Sequence, residues 1–132
     1  MQVAVFGRNF PTYARENIAT MFSKFQLLNV DVWVFEPLYE FLQKNAGLRP
    51  RVAGLFTSHE TPPAGLDFLF SLGGDGTFLE TVSLVRDSGI PVLGVNIGRL
   101  GFLSYISQEN MDESLESVFS GKYDIEERIL LQ

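Results

Sequence analysis

Short apolar runs of strand type alternate with stretches of helical spacing from the first residues onward, and this alternation limits the folds open to the chain more than any other feature. Gln2 to Gly7 (QVAVFG) is a β-rich apolar run, after which Ala14, Ile18, Met21, Phe22 and Phe25 recur at helical spacing. Val30 to Phe35 (VDVWVF) is a second run. Pro37 then suits a helix's first position, Leu38, Phe41 and Leu42 share a face, and Gly47 suits the helix's end. Val52 to Phe56 reads as a weaker strand, Thr57 to Gly65 as a loop, and Asp67 to Leu72 (DFLFSL) as a buried strand. Phe78, Val82 and Val85 mark another helix closing near Gly89, and Ile90 to Val95 is a further strand with Pro91 near its beginning. Strands separated by helices predict an α/β fold: an open, mostly parallel, Rossmann-like sheet with helices on both faces. Ligands of such sheets sit beyond the carboxyl ends of the strands.

Asn110 can cap a later helix with Glu113, and Met111, Leu115, Val118 and Phe119 supply its apolar side. Tyr123, Ile125, Ile129 and Leu131 then alternate with polar residues as a half-buried strand does. The expected organisation is an α/β domain over residues 1–122. Residues 123–132 are expected to begin the linker or strand leading to a further domain.

Composition narrows the function. With 132 residues the chain can bury a real core, and without cysteine it carries no disulfide, thiol nucleophile or thiolate metal site. A formal charge of −6 argues against nucleic acid, which calls for clustered Lys and Arg. No apolar segment approaches the roughly 18 residues of a membrane span. The first residues lack the basic region of a signal peptide, so a cytoplasmic location is expected.

The segment SLGGDGTFLE, Ser71 to Glu80, follows a predicted strand and opens a predicted helix. Gly73, Gly74 and Gly76 allow positive φ and close approach of a ligand, and the first helical N–H groups carry partial positive charge. This is a phosphate cradle without a lysine. It lacks the Gly-Lys-Ser/Thr of a P-loop and the G-x-G-x-x-G spacing of the dinucleotide fingerprint. Asp75 inside such a cradle repels an anion unless it coordinates Mg²⁺ or accepts a proton from an attacking hydroxyl. The same letters also fit a plain tight turn with Asp75 capping the helix. A second stretch, Asn96 to Leu103 (NIGRLGFL), follows another strand. There Gly98 and Gly101 open the chain, Asn96 offers a donor and an acceptor, and Phe102 offers a ring for a base or ribose. The lone histidine, His59, lies in the proline-rich loop with no nucleophile motif near it.

GGDGT (Gly73 to Thr77) followed by N-x-G-x-L-G-F-L (Asn96 to Leu103) resembles the NAD kinases, which phosphorylate the 2′-hydroxyl of NAD's adenosine ribose to make NADP. The first motif is shared with lipid kinases and 6-phosphofructokinases; the second is far more specific. The closing YDIEERILLQ resembles the junction to that family's C-terminal β-rich domain.

The resemblance implies that Asp75 accepts the proton of the ribose hydroxyl and that Gly76 contacts NAD beside it. Gly73, Gly74 and Thr77 would shape the phosphate site, and Asn96, Gly98 and Phe102 would bind the nucleotide. It implies ATP, or polyphosphate in some members, as donor, NAD as substrate, and Mg²⁺ or another divalent ion, with no residue assigned as its ligand. A homo-oligomer is implied at full length, and little or no activity for these 132 residues alone. Family members often carry Arg or Lys three residues after the Thr of the motif, where this chain has Glu80; Arg8 and Arg99 are the candidates to supply that charge. The alternatives are another kinase of the wider superfamily and a non-catalytic nucleotide-binding module.

Overall fold

A computed structural model of the chain describes residues 1–10, 12–57, 65–73, 75–85, 89–96, 106–107, 115–116 and 119, with the side chains of residues 13, 75, 96, 106 and 107 outside that description. The strands are β1 (Gln2–Phe6), β2 (Asp31–Phe35), β3 (Gly54–Phe56), β4 (Phe68–Leu72), β5 (Val92–Asn96) and β6 (Ile106–Ser107). A 3-10 turn at Thr12–Ala14 leads into α1 (Arg15–Leu27), followed by α2 (Glu36–Lys44) and α3 (Asp75–Val85). All strand pairs are parallel, in the order β3-β2-β1-β4-β5-β6. This is the doubly wound order, in which the chain reverses its direction of travel across the sheet between β1 and β4.

Parallel strands covered on both faces read as unbroken apolar runs. The central strand β4, FLFSL, is buried at every residue, Ser71 included. Pairing of Val5 with Phe70 and Phe6 with Ser71 sorts the faces. On the Val5/Phe70 face lie α1, whose Phe25 ring sits 5.2 Å from that of Phe70, and α2, whose Phe41 meets Phe10 edge-on at 5.0 Å. Phe119 packs on the same face against Phe25, Phe68 and Phe70. On the Phe6/Ser71 face lies α3, joined to the sheet through Thr81 and Ser71. Helices on both faces therefore hold as expected. Burying a phenylalanine of this cluster contributes roughly 1.5–3 kcal/mol.

Local details follow from residue chemistry. Pro37 stands in the first turn of α2, where a missing N–H costs nothing, and Gly47 follows the helix end at φ +65°. The Trp33 ring packs against Gly54, where a Cβ would stand 2.3 Å from it. The third strand is shorter than the expected Val52 to Phe56, because Ala53 makes a single bond, its N–H donating to the Val32 carbonyl at 2.7 Å, before the ladder begins. Pro91 stays out of the fifth strand, and its carbonyl accepts from the Leu69 N–H at 2.9 Å. The two-residue β6 was not expected from the sequence, being too short for an alternation to show. Leu115 and Phe119 are on the predicted side of the later helix. Met111, Val118 and the strand expected over residues 123–132 lie outside the described residues.

Candidate functional site

The topological switch between β1 and β4 opens a crevice at their carboxyl ends. Two glycines line it. A Cβ on Gly7, just past β1, would stand 3.1 Å from both the Cβ and the carbonyl oxygen of Leu72, so the two strand ends approach closely. Gly73, just past β4, has φ +146°, where side chains are strained, and a Cβ there would lie 2.7 Å from the Thr77 hydroxyl oxygen and 2.9 Å from Thr77 Cβ. The chain turns at Gly73 directly under the first turn of α3.

The Gly73 N–H donates to the Val95 carbonyl at 3.1 Å, which ties the turn to β5. The Gly73 amide is therefore engaged within the sheet, and the glycine contributes the shape of the turn. Asp75 is the first residue of α3, so the helix begins earlier than Phe78 alone marked, and Asp75 lies inside its first turn instead of capping it. Gly76 is exposed, and a Cβ on it would meet nothing within 4 Å. Thr77 is half-buried against Gly73. One turn on, Thr81 Oγ1 lies 2.7 Å from the Thr77 carbonyl and 2.9 Å from Ser71 Oγ, both hydroxyls buried. One hydroxyl proton serves one acceptor, so with the Thr81 proton on the Thr77 carbonyl, Ser71 donates to Thr81. This pair pins the first turns of α3 to β4.

The structure brings Gly73, Asp75, Gly76 and Thr77 together at the switch, and Asn96 ends β5, next in the sheet. Gly74, Gly98 and Phe102, and the side chains of Asp75 and Asn96, lie outside the described residues, as do Arg99 and His59. Among the described residues no group of three or more His, Cys, Asp or Glu could hold a metal ion.

In the sequence Glu80 is a departure from the family pattern and Arg8 a candidate for the missing charge. The structure pairs them. Arg8 Nε donates to Glu80 Oε1 at 3.2 Å and its Nη2 to Oε2, while the guanidinium carbon stands 6.0 Å from the Phe6 ring centroid and 5.9 Å from that of Phe35. Hydrogen bonding to Glu80, then its charge, raises the Arg8 pKa above its already high ordinary value, so the cation persists wherever the fold does. The only signal in the sequence was an arginine just past a predicted strand. Two shallow depressions of about 320 and 310 Å³ lie elsewhere, one reaching Asp31 at the amino end of β2 and both bordered by Arg51. Neither touches the switch-point residues.

The sequence profile of the ATP-NAD kinase N-terminal domain matches residues 12–123. The NAD kinase of Flavobacterium psychrophilum is 40% identical over 131 residues, which cover 99% of this chain and 44% of that protein. The NAD kinase of Bacteroides fragilis is 36% identical over 132 residues, all of this chain and 44% of that one. Among solved structures, the crystal structure of yeast NADH kinase complexed with NADH matches with a TM-score of 0.68 and 25% identity, over 92% of this chain and 38% of that one. The chain thus spans less than half the length of the curated relatives it matches.

Proposed function

This chain belongs to the ATP-NAD kinase N-terminal domain family, and from that premise we propose that the protein it comes from transfers a phosphoryl group from ATP to the 2′-hydroxyl of the adenosine ribose of NAD, making NADP. The observation that carries the proposal is the position of the GGDGT turn. It lies at the β1/β4 switch, opens on Gly73 at φ +146°, and its last three residues begin an 11-residue helix.

In this reading the first N–H groups of α3 face the phosphates of the donor, where the helix dipole favours anions. Thr77 and Gly73 hold that turn in shape. Asp75 orients the ribose hydroxyl and takes its proton late, as the new P–O bond forms, since an ordinary carboxylate is a weak base toward a sugar hydroxyl. Gly76 lets NAD approach the main chain. Asn96, Gly98 and Phe102 border the nucleotide. A divalent ion such as Mg²⁺ neutralises charge on the donor's phosphates. It would supply that charge when bound, and no step here runs through it. The pocket is completed by residues of the kind the longer relatives carry beyond the matched length, and the assembled protein is a cytoplasmic homo-oligomer. No described helix is long and apolar enough to cross a membrane.

The test is an acceptor and donor panel on the full-length protein: NAD, NADH, a diacylglycerol and fructose 6-phosphate, each with ATP and with tripolyphosphate. NADP formation from NAD is expected. Turnover confined to the lipid or sugar, or nucleotide binding without turnover, refutes the proposal.

A further inference from the structure

We propose that Arg8 binds the terminal phosphates of the phosphoryl donor, with Glu80 as its positioning residue. The inference rests on the function proposed above and adds a donor-side group to it.

Arg8 stands two residues beyond β1, the strand that forms one wall of the switch. Glu80 stands in α3, the helix that begins at the other wall. Their ion pair therefore bridges the two sides of the rim where the GGDGT turn lies. The pairing is side-on and uses Nε and Nη2 of the guanidinium. A guanidinium has five N–H donors, so the end-on edge, both protons of Nη1 and one of Nη2, remains for a second partner. Among the described residues no acceptor is bonded to that edge, and more than half of the Arg8 side-chain surface is exposed. That edge has the fork geometry that binds a phosphate through two hydrogen bonds.

Glu80 leaves the charge of Arg8 in place and fixes its direction. With Phe6 and Phe35 beside the guanidinium, it removes rotamer freedom that a phosphate would otherwise have to freeze.

The experiment measures NAD phosphorylation by the full-length protein and three variants, Arg8→Gln, Arg8→Lys and Glu80→Gln, with KM for ATP and for NAD determined separately. Thermal midpoints are recorded alongside, and binding of inorganic tripolyphosphate is measured by calorimetry. Arg8→Gln is expected to raise the ATP KM about tenfold or more with the NAD KM within about twofold, the mark of a lost donor contact. Glu80→Gln is expected to raise the ATP KM by about threefold or more with kcat little changed, and Arg8→Lys to fall between. An ATP KM within about twofold of wild type in Arg8→Gln, or ATP and NAD values rising together, overturns the assignment. Should Arg8→Gln fail to fold, Arg8→Lys and Glu80→Gln decide by the same split.

If the wild-type protein phosphorylates no NAD, the proposed function falls and calorimetry decides alone. Tripolyphosphate affinity about tenfold weaker in Arg8→Gln upholds the phosphate contact, and equal affinity removes it. A loss confined to ATP, with tripolyphosphate unchanged, also removes it, since the contact is to phosphate and not to the nucleoside.

Discussion

A Cβ on Gly73 would lie 2.7 Å from the hydroxyl oxygen of Thr77, four residues on, so the bare glycine is what lets the chain double back beneath α3. The sharpness of the turn brings the first helical amides to the mouth of the switch.

Gly73→Ala therefore meets a backbone penalty at φ +146° and a clash with Thr77. It should destabilise the fold by about 1–3 kcal/mol. Gly76→Ala meets open space on a helix and should leave stability unchanged or raise it by up to about 1 kcal/mol. In the function proposed above Gly76 contacts NAD, so that second variant should still lose activity. Thermal melts and NADP assays on the pair separate shape from contact; equal melting points for the two would contradict the geometry.

Asp75→Asn keeps the size of the side chain but removes its basicity. Turnover of the full-length protein should fall about 100-fold or more with the fold intact, the scale of losing a general base. Near-normal kcat would strip Asp75 of its role.

Thr81→Val is nearly isosteric, yet it leaves the buried Ser71 hydroxyl without the acceptor that Thr81 supplies. The expected cost is about 1–3 kcal/mol. The double variant Ser71→Ala/Thr81→Val should cost less than the sum of the singles, which chemical denaturation can resolve.

Trp33 is the sole tryptophan and its ring lies on Gly54, so emission reports this contact directly. Gly54→Ala should shift the fluorescence spectrum and destabilise the β2–β3 edge by about 1–3 kcal/mol through overpacking. An unchanged spectrum would mean the ring does not rest there.

The 132-residue chain by itself should fold, giving a cooperative thermal transition, yet make little or no NADP. Robust turnover by it would show that the catalytic pocket needs nothing more than these residues.

Much of the architecture could be read locally. VAVF, VWVF and FLFSL announced buried parallel strands because such strands need apolar residues on both faces, and the Ile18, Met21, Phe22, Phe25 spacing announced the helix over them. GGDGT was legible for the same reason: glycine spacing states a backbone need that no other residue meets. Other features were not legible. The sixth strand is too short to carry a pattern, and the start of α3 at Asp75 was hidden by glycines that weigh against a helix until the turn is built.

Sequence alone determined the alternation of strand and helix, the placing of an acid in a glycine turn, and the family, since each is written in residues close together along the chain. Only the tertiary structure decided that β1 and β4 stand side by side, that the Gly73 amide is spent on Val95, and that Arg8 reaches Glu80 across 72 positions of chain. Strand order and ion pairing are contacts between distant segments. They are set by how whole faces bury against one another, and a local pattern of residue types carries no term for that.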